Sequence, residues 1–276
     1  MAPVSATERF AEATGETVEA ILLEAGRMCD EVMAPLNRAA DLHPARLENG
    51  VLRSTPGFKE GYAAIRDGGW VALAAPEEFG GMGLPQAINM AVNDMMSGAC
   101  LALQLNPLLS QGQIEALEHH ASDEIKALYL PKLISGEWSG TMNLTEPHCG
   151  TDLGMIRTKA VPNGDGSYAI TGTKIFITAG EHDLTDNIVH LVLAKLPDAP
   201  AGAKGISLFV TPKFKVDREG KVGERNALRC GSIEHKMGIK GSVTCVMNFD
   251  GAEGYLVGQP HKGLQAMFTM MNTARL

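Results

Sequence analysis

The chain lacks any C-x-x-C pair. Its five cysteines, Cys29, Cys100, Cys149, Cys230 and Cys245, are scattered, and their odd number argues against a disulfide framework and for a reducing, cytoplasmic setting. It also lacks a long basic run. With a net charge of −8 and a pI near 5.5, it offers no cationic surface for a nucleic acid, and none is expected as a partner. No stretch reaches the roughly 18 apolar residues that cross a bilayer, so no membrane span is expected. The amino-terminal segment carries Glu8, Glu12, Glu16 and Glu19 where a signal peptide would have an apolar core.

Several chemistries are missing as well. There is no G-x-S-x-G elbow for a serine hydrolase. Gly80-Gly81-Met82-Gly83 has neither a preceding strand nor a later acidic residue, so it reads as a loop and not a dinucleotide fingerprint. His119-His120 and His148-Cys149 are adjacent pairs, which on a helix point about 100° apart, and no third and fourth ligand follows at zinc spacing. No metal site is expected.

What is present is 45% hydrophobic residues in 276, enough for globular folding and for two domains. The pattern changes near Gly136. Before it, Thr7–Met33, Gly57–Asp67, Pro85–Leu103, Ser110–His119 and Ser122–Leu133 have helical length and spacing, with Pro35 and Gly68-Gly69 as exits and Asn106-Pro107 as an entry. After it come short β-branched and aromatic runs: Glu137–Leu144, Arg157–Val161, Tyr168–Thr178, Asn187–Lys195, Gly205–Thr211 and Val243–Phe249. Pro162–Ser167 is a hairpin turn between two of them. From Gly263 to Leu276 the period is helical again, with no stop signal, as though the helix were cut. The expected organisation is an α+β multidomain protein: a helical amino-terminal domain (1–136), an antiparallel β-barrel or sandwich middle domain (137–260), and the first helix (261–276) of a truncated carboxy-terminal helical domain. Met90, Met95, Met96, Met267, Met270 and Met271 fall at helical spacing, as core residues do. Glu115, Glu118, Asp123 and Glu124 read as a solvated helix face.

Two segments narrow the function. In Thr141–Asp152, TMNLTEPHCGTD, a strand ends at Pro147, and Gly150, Thr151 and Asp152 then form a loop whose amides can face an anion. In Lys174–Gly180, KIFITAG, strand alternation places Phe176 and Thr178 on one face and Ile175 and Ile177 on the other. A ring beside a hydroxyl suits a flat heterocycle.

In this order and spacing the two segments resemble the flavin-contacting segments of the acyl-CoA dehydrogenase family. PEEFGGMGLP (76–85), YLPKLISGEWSG (129–140) and HKMGIKGS (235–242) resemble further parts of the same family, so that the likeness covers nearly the whole chain. GEHDLTDNIVHLVLAKLPDAP and CGSIEHKMGIKGS point to the branch that includes 3-methylmercaptopropionyl-CoA dehydrogenase and its long-chain relatives.

The resemblance implies FAD as cofactor, an acyl-CoA thioester as substrate, α,β-dehydrogenation with hydride passing to flavin N5, and a place in fatty acid metabolism. It implies electron-transfer flavoprotein as acceptor and a homo-oligomer. Matched residue by residue, Met142, Leu144 and Thr145 lie against the isoalloxazine, and Gly150 and Thr151 near the pyrophosphate and pantetheine. Phe176, with Ile177 beside it, flanks the ring, Thr178 donates to N5, and Asn272 and Arg275 lie on a substrate-contacting helix. Thr151 stands where serine is common, Phe176 where tryptophan is frequent, and His148-Cys149 where small residues are usual. Glu146 belongs to the loop framework. The family's catalytic base is expected beyond Leu276, which would leave this piece alone inactive. An acyl-CoA oxidase, or a non-catalytic acyl-CoA or partner-binding protein, are the alternative readings.

Overall fold

Helices occupy the first half because apolar residues recur there at helical spacing and polar side chains cap the starts. The structure, a computed structural model, describes residues 4–275; Leu276, the end of the expected final segment, and the first three residues of the expected amino-terminal domain lie outside the described residues. α1 (Gly15–Met28) is capped by the Thr14 hydroxyl, which accepts from the Thr17 amide at 3.2 Å. The helix does not exit at Pro35. It widens into a π turn, Cys29–Met33, and continues as α2 (Ala34–Leu42), with Pro35 in that segment's first turn, where its missing N–H is tolerated. Glu8–Phe10 forms a short 3-10 turn where the first helix was expected to start.

A hairpin that sequence reading passed over, β1 (Arg46–Glu48) and β2 (Val51–Arg53), turns on Asn49 and Gly50, both at positive φ. α3 (Phe58–Asp67) and α5 (Asp123–Ile134) lie within a residue of expectation, and the Ser122 hydroxyl caps α5. Between them, α4 (Gln86–His120) differs from the expected pair of helices. Its break is at Cys100 (φ −155°, ψ 84°), and Pro107 lies inside the second arm. Cys100 itself is fully buried at the break.

The second half is built of β3 (Trp138–Asn143), β4 (Lys159–Pro162), β5 (Tyr168–Thr178), β6 (Asn187–Lys195), β7 (Ile206–Pro212), β8 (Phe214–Val216), β9 (Val222–Arg225), β10 (Leu228–Ile233) and β11 (Thr244–Val257). Seven of these form one sheet in the order β10-β11-β5-β4-β6-β3, and β7 pairs with both β11 and β6, which curls the sheet back on itself. The sheet is mixed and not purely antiparallel, since β3 and β4 each run parallel to β6. β8 and β9 form a separate ribbon.

The two halves share one core. Leu103, Leu109, Ile114 and Leu117 of α4 pack with Tyr129, Leu133, Trp138, Val189 and Leu191. α6 (Gly263–Thr273) closes the seam against α4, β6 and β7, with Met267 and Met270 fully buried. No described helix is long and apolar enough to cross a membrane.

Candidate functional site

At Asn143 strand β3 ends, and the chain passes along β5. The Ile175 amide donates to the Thr145 carbonyl at 2.9 Å, and the Lys174 ammonium donates to the Leu144 carbonyl at 2.9 Å. The two segments singled out in the sequence therefore meet edge to edge. Along β3, Thr141 and Asn143 turn inward, and the Thr141 hydroxyl bonds to His190 Nδ1 at 2.7 Å. Met142 and Leu144 are the half-buried residues between and beyond them.

Glu146 makes a tight turn, its backbone exchanging hydrogen bonds of 2.8 and 3.0 Å with Cys149. Its buried carboxylate accepts from Lys174 Nζ at 2.9 Å, from the Thr158 hydroxyl at 2.6 Å, and from the amides of Thr158 at 3.0 Å and Arg157 at 2.7 Å. Burial alone would raise its pKa, but Lys174 and the other donors outweigh that and lower it. Burial lowers Lys174, against the pull of Glu146. Glu146 is thus a framework carboxylate.

Strict alternation fails in β5. Lys174 pairs with Met247 and Ile177 with Cys245, so Ile175 and Phe176 together face the single residue Val246. This bulge, with Phe176 at φ +60°, turns both Lys174 and Ile177 inward. Phe176 is left 58% exposed, whereas Ile177 is 2% exposed and packs among Cys245, Met247 and Phe249. The side chain of Ile177, expected at the cofactor, is therefore in the core, and only its backbone can face a ligand. Thr178 is half-buried and pairs with Thr244.

The loop beyond Glu146 folds back on Thr145, so that a Cβ on Gly150 would lie 3.1 Å from the Thr145 methyl. Gly150 and Thr151 are exposed, and among the described residues nothing accepts from their amides. Asp152 accepts from the Gly154 amide at 2.9 Å and caps the turn Leu153–Met155. Ligand atoms of Glu146, His148 and Cys149 lie within 4.8 Å of one another, but His148 Nε2 bonds to the Met155 carbonyl at 3.0 Å and Glu146 is committed to Lys174. Asn272 and Arg275 sit at the exposed end of α6 and bond to each other at 3.4 Å.

The Thr145, Thr151 and Thr178 hydroxyls and the Gly150 and Thr151 amides are groups of the kind that bond a flavin and its phosphates, and the exposed Phe176 ring is of the kind that packs on one. A cleft of about 470 Å³ among the helices, lined by Arg9, Asn89, Gln111, Glu115, His119 and Thr273 and others, includes none of these residues. Sequence reading missed the buried lysine. The signal for it was a lysine flanked by strand-forming residues, a setting in which burial demands a partner. It also missed His182 and His190, which burial pushes down to about 4 and about 3.

Residues 15–137 match the family profile described as the acyl-CoA dehydrogenase N-terminal domain, and residues 141–252 the one described as its middle domain. The chain is 51% identical over 272 residues to the 3-methylmercaptopropionyl-CoA dehydrogenase of Ruegeria pomeroyi, an alignment that covers 99% of this chain and 46% of the relative. It is 38% identical to a butyryl-CoA dehydrogenase of Syntrophomonas wolfei, covering 95% and 45%. The chain thus spans about half the length of the curated relatives it matches. Among solved structures, Caenorhabditis elegans ACDH-11 in complex with C11-CoA superposes with a TM-score of 0.80 at 21% identity, covering 94% of this chain and 45% of that one. An acyl-CoA dehydrogenase complexed with FAD from Bacillus anthracis superposes with a TM-score of 0.74 at 23% identity, covering 96% and 41%.

Proposed function

Because the chain belongs to the acyl-CoA dehydrogenase family, whose amino-terminal and middle domains it carries, we propose that it forms the flavin-facing part of an FAD-dependent acyl-CoA dehydrogenase. The observation that carries this reading is the junction at which Lys174 and Ile175 hold the Leu144 and Thr145 carbonyls. It draws both motif segments into one wall. FAD, when bound, supplies the acceptor for the hydride that leaves the β-carbon of the thioester.

Each residue then has a task. Leu144, Thr145 and Phe176 bind the ring, with Met142 beside them, and the Thr178 hydroxyl donates to it. Gly150 and Thr151 offer amides and a hydroxyl to phosphate and to the pantetheine arm. Asn272 and Arg275 are assigned to the acyl-CoA. The base that takes the α-proton is assigned to polypeptide outside these 276 residues, because Glu146 is spent on Lys174. The 276 residues alone are therefore proposed to be inactive in turnover. The working protein is proposed to be a cytoplasmic homo-oligomer that passes electrons to electron-transfer flavoprotein. Domain limits of 1–136, 137–260 and 261–276 accompany this reading.

The test is the protein expressed from its complete reading frame and assayed with a panel of acyl-CoA thioesters and an artificial electron acceptor. The reading requires a stoichiometric flavin that is bleached by at least one thioester. A protein that holds flavin no thioester reduces, or holds none, contradicts it.

A further inference from the structure

We propose that Lys174 and Glu146 are a positioning pair that sets the reduction potential of the bound flavin, an inference that rests on the flavin reading above. The pair occupies the seam between the two segments assigned to the ring. The ammonium holds the Leu144 carbonyl on one side and Glu146 on the other, each at 2.9 Å, and the bulge at Ile175-Phe176 is what turns Lys174 inward to reach them. No other strand position pairs a buried charge with both segments among the described residues.

The orientation of the pair matters as much as its presence. Its positive end lies at the Leu144 carbonyl, where the segments join. Its negative end is fixed by the Thr158 hydroxyl and the amides of Arg157 and Thr158, on the β4 side. Lys174 and Glu146 have side chains 0% and 3% exposed, so their field is little screened by water. A fixed dipole with its positive end toward the assigned ring segments favours the electron-rich reduced flavin over the oxidised one.

That sign supplies the test. The two-electron potential and the FAD dissociation constant are measured for the complete protein and for Lys174→Met, Glu146→Gln and the double variant. Lys174→Met leaves the carboxylate uncompensated and lowers the potential, whereas Glu146→Gln leaves the ammonium and raises it. The double variant falls between the two. A tenfold change in relative affinity for the two flavin states corresponds to about 30 mV. If neither single variant folds, Thr158→Ala removes one donor from Glu146 without touching a charge, and it shifts the potential in the same direction as Lys174→Met. Shifts of one common sign, as a purely structural disturbance gives, or no shift in a protein that keeps its flavin, overturn the pair's role. A wild-type protein that holds no FAD overturns the flavin reading itself, and this inference with it.

Discussion

Lys174 Nζ lies 2.9 Å from Glu146 Oε1, and both side chains are out of solvent on adjoining segments that are 28 residues apart in the chain. Their mutual attraction offsets the cost of burying either charge only while both are present. Removing one partner of such a pair typically costs about 3–5 kcal/mol. Lys174→Met is therefore expected to lower unfolding stability by an amount in that range, measured by urea titration at neutral pH. A loss below about 1 kcal/mol, the worth of an exposed ion pair, would show that the carboxylate finds water or another donor.

Acid weakens this fold earlier than carboxylate titration alone would. Burial holds His182 near 4 and His190 near 3, against 6.5 for a free imidazole. Below 6.5 the unfolded chain takes up protons that the folded chain refuses, so stability falls as pH drops from 6.5 toward 4. Each histidine contributes a limiting slope of about 1.4 kcal/mol per pH unit, or about 2.7 for the two together. The lowered pKa of Glu146 adds a further loss below about 4.5, where the unfolded chain's carboxylate binds a proton that the folded one still refuses. Urea midpoints at pH 7, 6 and 5 measure the slope, and His190→Gln should roughly halve it. A flat profile between pH 7 and 5 contradicts the neutral, buried state of both rings.

Glycines separate close packing from mere chain freedom. A Cβ on Gly263 would lie 2.3 Å from the Ser207 carbonyl carbon and 2.5 Å from the Leu208 nitrogen, backbone atoms that can yield only if α6 lifts off β7. Gly263→Ala is expected to cost about 1–3 kcal/mol. Gly26, inside α1, has nothing within 4 Å of its would-be Cβ, and Gly26→Ala should stabilise by about 0.5–1 kcal/mol. Thermal unfolding of the two variants side by side decides the matter, and equal effects would mean that α6 is not docked as described.

Phe176 combines an exposed ring with a left-handed backbone, an arrangement that costs a non-glycine residue of order 1–3 kcal/mol. Phe176→Gly should therefore raise stability by about 1 kcal/mol while weakening FAD retention. Thr178→Val should reduce FAD affinity by the worth of one neutral hydrogen bond, about 0.5–1.5 kcal/mol, and leave stability nearly unchanged. Fluorescence titration with FAD and a melting curve on each variant check both halves. Phe176→Gly binding as well as wild type removes the ring from the site.

Much of the fold was readable from residue pattern. Tyr168–Thr178 and Asn187–Lys195 match β5 and β6 to the residue, because β-branched runs there are bounded by clear turn residues. Pro35 and Pro107 misled, since a π turn accommodates the first and the break expected near the second is made by Cys100. β8, β9 and β10 are three to six residues long, too short for a periodic signal. The parallel pairing of β3 with β6 depends on which strands meet, which local pattern does not encode. At the candidate site the two segments were legible as motifs. The bulge that buries Lys174 and Ile177 together was not, because the extra residue exists only relative to Val246 on the neighbouring strand.

Residues 142–151 and 174–178 are proposed to form one flavin-binding wall. Amide hydrogen exchange of the protein from its complete reading frame, with and without added FAD, tests it most directly. The expected result is protection concentrated in peptides covering those two stretches, since FAD would cover amides that are otherwise open at Gly150 and Thr151. Protection confined to the helical cleft around Asn89, Gln111 and His119, or no protection anywhere, would contradict it.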